Sequence, residues 1–377
     1  MSIIIFILVL VVLIVVHELG HLVAAKFFGM RVDEFGIGYP PKAYTFASHS
    51  GTDYTLNWLP FGGFVKIYGE DGEEKETGTV KIEGRKEIKP VGQAFNTKPR
   101  WQQALVLVAG IAMNLVLAWV LLSVTLAIGL PRALTDTEIP LAPDAVLVVA
   151  RVVDGSPAFE AGLRAGDTIR SATYAQATFI GAYADEFTAF VAKSKGTPMT
   201  LQIERGTETL SLSATAQKNI VPADIDRLAL GVGIGAVGTV QVPWWQAPFE
   251  GAQLTWSVTE QVALGLIHFF GGLFTFTADL SQVSGPIGIA GAVGDASNTS
   301  IVALLSLMAI ISINLALINI IPVPALDGGR LLFVLIEAVT RRPIPTGIAN
   351  TLNTAGFALL ILLMVVVTAS DLWKALV

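Results

Sequence analysis

His17, Glu18 and His21 spell H-E-x-x-H inside an otherwise apolar run, Ile3 to Phe28. On a helix, residues i and i+4 share a face, so two imidazoles can offer nitrogens to one metal ion. Glu18 sits beside them, where it can take a proton from a water molecule that the metal acidifies. The bland reading is a lipid-buried helix with stray polar residues. Ionisable groups within a span are costly and mark function by default. Three of them in five residues favour the metal site, although hydrolysis needs water and this helix reads as lying in lipid.

A zinc site with two histidines needs a third protein ligand and an open position. The chain has no cysteine, so thiolate is excluded and the remaining ligand must be a carboxylate or histidine. Asp327 is the best candidate. It follows an apolar run and the helix-breaking Pro322-x-Pro324, and Gly328 and Gly329 let the backbone come close. Taken alone, Asp-Gly is a common turn signal. Asn319, eight residues earlier, could bond a substrate backbone or brace its own span. Asn114 could serve the site or simply bond across helices.

These residues must be positioned by membrane spans. The chain is 53% hydrophobic and 14% charged, which points to several spans. A net charge of -6 argues against a nucleic-acid partner. Four spans are expected, at about Ile3–Phe28, Trp101–Leu130, Ile301–Pro322 and Ile348–Ala369. The first lacks a basic leader and a small-residue cleavage site, so it reads as retained. Lys26, Arg31, Lys98, Arg100, Arg330, Arg341 and Arg342 put the adjoining span ends in the cytosol. Residues 29–100 hold ten Lys and Arg; the longer stretch 131–297 holds nine, of which only Arg132 lies beside a span. Lys374 is left outside.

Between the spans, residues 32–67 read as short strands at Phe35–Tyr39, Ala43–Phe46, Tyr54–Leu56 and Gly63–Ile67. They form either a hairpin dipping into the membrane or a small cytosolic sheet. The charged stretch 69–92 reads as a solvated loop. Residues 140–218 read as one small α+β module outside the membrane, with a helix over Ala184–Ser194 and a hairpin around Arg205-Gly206-Thr207-Glu208. Ser257–Phe276 reads as an amphipathic helix along the outer interface, broken at Gly271-Gly272, with His268 on its polar face. Were it a span, the third span would reverse and Asp327 would lie on the wrong side of the bilayer. With it outside, His17, His21 and Asp327 share one depth near the inner face. The organisation is therefore 1–130, an N-terminal membrane core; 140–218, the module; 219–297, a linker; and 298–377, a C-terminal membrane core.

The chain resembles the site-2 protease family of intramembrane zinc metalloproteases, of the bacterial regulator-of-sigma-E protease type. The resemblance rests on His17-Glu18-Leu19-Gly20-His21, Phe35-Gly36-Ile37-Gly38, Gly62-Gly63-Phe64-Val65-Lys66, Ser284 through Ala290, and the N-x-x-P-x-x-x-L-D-G pattern from Asn319. The module is similar to a PDZ domain in Ser156-Pro157-Ala158 and Ala161-Gly162-Leu163-x-x-Gly166-Asp167. What this implies is a polytopic α-helical membrane protein with four transmembrane helices, a membrane-associated β-hairpin and one extracytoplasmic PDZ (α+β) domain. It implies Zn2+ on His17, His21 and Asp327, with Glu18 as general base and Asn319 helping to hold substrate. The expected location is a bacterial inner membrane, the active site near the cytoplasmic side.

The expected reaction is hydrolysis of peptide bonds within transmembrane segments of single-span proteins, such as anti-sigma factors or signal-peptide remnants, by a monomer in the lipid bilayer. Gly36, Ile37 and Gly38 would lend a strand edge to the unwound substrate. Two departures stand out. There is room for one PDZ domain where some relatives have two, and Gly110-Ile111 lacks the proline that often follows this glycine. The alternative is a non-catalytic membrane PDZ scaffold with a structural zinc; a zinc transporter would want more intramembrane ligands and internal repeats.

Overall fold

The computed structural model describes residues 2–70, 80–82, 85–87, 92–206, 208–218, 220, 227–275 and 285–376. Most of the charged stretch 69–92, Thr207 of the expected hairpin turn, Phe276 and Ser284 lie outside them. The described chain forms two compact units, residues 1–125 with 246–377, and residues 126–245.

In the first unit, α1 (Ser2–Phe27) leads into β1 (Val32–His49) and β2 (Thr52–Ile67). Two short strands, β3 (Val80–Ile82) and β4 (Arg85–Glu87), precede α2 (Arg100–Ile128). After the second unit come α5 (Ala247–Phe274), α6 (Pro286–Thr299), α7 (Ile301–Ile320), α8 (Asp327–Thr340) and α9 (Thr346–Leu376). Four helices are long and apolar enough to cross a bilayer: Ser2–Phe27, Arg100–Ile128, Ile301–Ile320 and Gly347–Ala369. They coincide with the four expected spans within a few residues. The apolar stretch of α9 is only 11% buried. In water that would be a large aggregation surface; in a bilayer a helix apolar on all sides is at home.

The four expected short strands exist, joined into two long ones that curl on each other. Residues 35–37 pair with two stretches at once: Phe35 with Val65 and Tyr54, Gly36 with Phe64 and Thr55, Ile37 with Gly63 and Leu56. Tyr44 to His49 pair onward with Leu56 to Thr52. This corrects one expectation. Gly36 and Ile37 are not at an edge, since both sides of their backbone already have strand partners. The sheet needs glycine at 36 for packing, because a Cβ there would run into the Phe64 ring.

The helix expected at Ser257–Phe276 begins ten residues earlier, at Ala247, and continues through Gly271-Gly272 to Phe274. Its apolar stripe Leu254, Val258 and Val262 packs against the cluster formed by Ala118 and Leu122 of α2 and Ala309 and Ile313 of α7. Trp119 Nε1 donates to the Pro248 carbonyl at 2.8 Å, fastening its first turn to α2. It is not among the helices apolar enough to cross a membrane.

The second unit is a seven-stranded antiparallel sheet. Its strands are β5 (Leu130–Ala133), β6 (Val146–Val152), β7 (Thr168–Tyr174), β8 (Ala177–Phe179), β9 (Met199–Arg205), β10 (Glu208–Ala214) and β11 (Val232–Val240). The order is β10-β9-β7-β6-β11-β5, with β8 beside β7. The helices α3 (Pro157–Glu160) and α4 (Ala184–Lys193) complete it. Leu147, Val149, Ile169, Phe187, Val191, Leu201 and Ile203 form the core. The expected boundary at residue 218 is too early, since β11 sits inside the sheet between β6 and β5.

Asp167 anchors this unit. Its buried carboxylate accepts from Arg205 Nε at 2.7 Å and Nη2 at 2.8 Å, and from the Arg164 N–H at 2.8 Å. Burial opposes the charge, but these donors win and hold the carboxyl below its usual range. A lowered folded-state pKa gives stability that is complete above the unfolded value, about 3.9, and is lost as pH falls below it. Asp167→Asn is expected to cost about 1–3 kcal/mol at neutral pH. Hydrogen exchange of the β6, β7 and β9 amides reads this directly, and equal exchange in wild type and variant at pH 7 would refute it.

Candidate metal centre

Three donors converge where α1, α2 and the start of α8 meet. His17 Nε2 lies 2.9 Å from Asp327 Oδ2 and 3.2 Å from His21 Nε2. His21 Nε2 lies 3.4 Å from the same Asp327 oxygen. The three ligand atoms fall within 4.8 Å of one another. A tetrahedral zinc with bonds near 2.0–2.1 Å separates its ligand atoms by about 3.3 Å. The donor set therefore has the spacing and chemistry for zinc. Both histidines are 7% exposed, so these polar rings are held away from solvent in an apolar setting.

Each donor is placed by its own element. On α1 the four-residue spacing turns both rings the same way, with centroids 4.8 Å apart. Gly20, between them, lets α1 approach α2; a Cβ there would strike the Ala109 carbonyl. His21 Nδ1 is 2.8 Å from the Val106 carbonyl, which accepts its proton and leaves Nε2 for a cation. Gly110 faces His21 directly, and a Cβ there would overlap Nε2. Val106 and Gly110 carry no polar side chain, and only the missing proline after Gly110 drew notice to that position.

Asp327 is delivered by a turn. The helix α7 ends at Ile320, ahead of Pro322 and Pro324, and α8 starts at Asp327 itself. The turn is tight. A Cβ on Gly328 would meet the Ile320 and Ile321 carbonyls, and one on Gly329 the Val323 carbonyl. The α8 helix is then docked by Leu331 and Val334 against the cluster around Leu22, Ala25 and Phe95. Ion pairs help hold it, among them Arg330 to Glu70 at 2.6 Å and Glu337 to Arg100 at 2.9 Å.

The other candidates divide. Glu18 is half-buried, makes no hydrogen bond among the described residues, and packs near Gly63 of β2, whose Cβ position is 3.6 Å from Glu18 Cγ. Asn319 Nδ2 is 3.5 Å from His17 Nε2, so it lies at the metal centre. Asn114 also belongs here, 3.3 Å from His17 Nδ1. Gly36, Ile37 and Gly38 lie in the curled sheet, where the Asn57 amide donates to the Gly38 carbonyl at 3.1 Å.

Comparison with known proteins agrees with this chemistry. Residues 5–363 match peptidase family M50. A Clostridium perfringens protein provisionally named as a zinc metalloprotease is 34% identical over 360 residues, covering 96% of this chain and 95% of that protein. The regulator of sigma-W protease RasP of Bacillus subtilis is 30% identical, with 99% of this chain and 98% of RasP covered. The zinc metalloprotease RasP of Geobacillus kaustophilus is 31% identical over the same shares.

Proposed function

Because the chain belongs to peptidase family M50 and is a multi-pass membrane zinc metalloprotease, we propose that it hydrolyses peptide bonds within the transmembrane segments of single-span membrane proteins in a bacterial inner membrane. The observation that carries this is the position of the donors. His17 and His21 lie in the C-terminal half of a helix long and apolar enough to cross a membrane, and Asp327 reaches them from the far end of the chain. A soluble protease has no use for a centre buried there.

In this reading His17, His21 and Asp327 hold the zinc. The ion supplies Lewis acidity toward a carbonyl oxygen and a water molecule. Glu18, with no hydrogen-bond partner to give up among the described residues, takes the water's proton and passes it to the leaving amine nitrogen. The Asn319 amide donates to the substrate backbone next to the scissile bond. A helical carbonyl is already hydrogen-bonded, so the substrate must unwind, and its freed backbone groups then need partners. Gly63–Lys66 pair with β1 on one side only among the described residues. Gly63 lies beside Glu18, and the unpaired side of this stretch would offer the strand edge that Gly36 and Ile37 do not.

The second unit is read as a PDZ domain on the outer side that screens substrates by size. Its support is a groove between α4 and the start of β11, lined by Phe187, Val191, Leu230, Gly231 and Ile234. Substrates would be anti-sigma factors or signal-peptide remnants whose outer portions have been trimmed.

The test is the purified protein in liposomes with a single-span substrate. Cleavage should map inside the transmembrane segment, stop on chelation and return with zinc. Cleavage confined to the substrate's aqueous portion, or persisting in chelator, would reject the proposal.

A further inference from the structure

Asn114 is 0% exposed on α2, and its Oδ1 has no hydrogen-bond partner among the described residues. Its amide nitrogen is placed 3.3 Å from His17 Nδ1. An amide's oxygen and nitrogen differ only by a half-turn about the last side-chain bond, so hydrogen-bonding chemistry decides which end faces the ring. If the nitrogen donates to Nδ1, the ring's proton sits on Nε2, where it blocks a cation. If the oxygen accepts from Nδ1–H, Nε2 presents a lone pair toward His21 Nε2 and Asp327.

His21 is already solved in the second way, by the Val106 carbonyl at 2.8 Å. Val106, Gly110 and Asn114 are spaced i, i+4, i+8, one face of α2. The two Nε2 atoms converge to 3.2 Å while the two Nδ1 atoms diverge toward the ends of that face. A second buried polar group fixes the level of Asn114. Ser312 of α7, also 0% exposed, donates from Oγ to the Asn114 carbonyl at 2.8 Å. Asn114 is thus pinned to the helix that carries Asn319 and leads to Asp327.

We infer that Asn114 is a positioning residue for the metal centre: its amide oxygen accepts the Nδ1 proton of His17 and thereby sets the ring's orientation and the tautomer that binds zinc. This rests on the zinc-centre reading above. Asn114→Leu and Asn114→Asp keep the size of the side chain and separate the alternatives. Leucine accepts nothing. Aspartate can only accept, so it suits a protonated Nδ1 and repels a lone pair there.

Zinc affinity of the purified full-length protein in nanodiscs, by competition with a chromophoric chelator, gives a readout independent of turnover. Asn114→Leu should bind about 10–100-fold more weakly. Asn114→Asp should bind at least as tightly as wild type, and metal-free Asn114→Asp should melt within a few degrees of metal-free wild type. Leucine within about threefold of wild type, or aspartate weakened about tenfold or more, would overturn the inference. If the leucine variant fails to fold, the aspartate result decides alone by the same threshold. Wild-type protein that takes up no zinc would instead overturn the parent reading, and this inference with it.

Discussion

Glu18→Gln is expected to keep its zinc and to lose cleavage by about 10²–10⁴-fold. Glutamine has the same length and fills the same half-buried space against Gly63, so the three donors should hold their positions. What it lacks is a lone pair basic enough to take a proton from water. The substrate should still bind, so the loss should fall on kcat rather than KM. Cleavage of a reconstituted transmembrane substrate, measured beside zinc content, checks both halves. Cleavage near the wild-type rate would remove Glu18 from its role as the base.

Gly110→Ala is expected to lower activity at least about 100-fold, although the change adds one methyl group. Alanine is a better helix former than glycine by roughly 0.8–1.0 kcal/mol, so α2 on its own should gain. The cost arises across the interface, where the new Cβ falls on His21 Nε2 and the ring must leave its place. His21 is held from behind by the Val106 carbonyl, so it has no easy retreat. A shift of about 1 Å at a catalytic centre costs on the order of 10²-fold. Zinc content should fall in parallel. A fully zinc-loaded, active Gly110→Ala protein would show that α1 and α2 do not cross as tightly as Gly20 and Gly110 indicate.

The sequence made the spans legible, because lipid requires long apolar helices and little else produces them. The donors were legible for the opposite reason: histidine, glutamate and aspartate have no cheap place in such helices. Asp327 needed the further step of matching depths across two spans, and that step depended on keeping α5 out of the count. The α2 side of the site was largely hidden. Val106 acts through its backbone carbonyl and Gly110 through a side chain it does not have, and neither leaves a mark in residue type. Asn114 was visible but undecided, since one asparagine in a span also serves plain helix packing.

The curled sheet was misjudged in one respect. Periodicity located its four strand segments but could not show that residues 35–37 lie between two of them. The module's end was placed too early because Val232–Val240 has glycine at alternate positions near its start, which weakens a strand signal. Only the pairing with β6 and β5 reveals it as part of the sheet.

Zinc analysis of purified wild type beside His21→Ala and Asp327→Asn tests the central claim most directly. Asp327 reaches His17 and His21 from more than three hundred residues away, and asparagine in its place keeps the shape while removing the anionic oxygen. About one zinc per chain is predicted for wild type, with both variants depleted under the same dialysis. Undiminished zinc in Asp327→Asn would mean that the two ends of the chain do not share one ion, and the metal centre described above would be wrong.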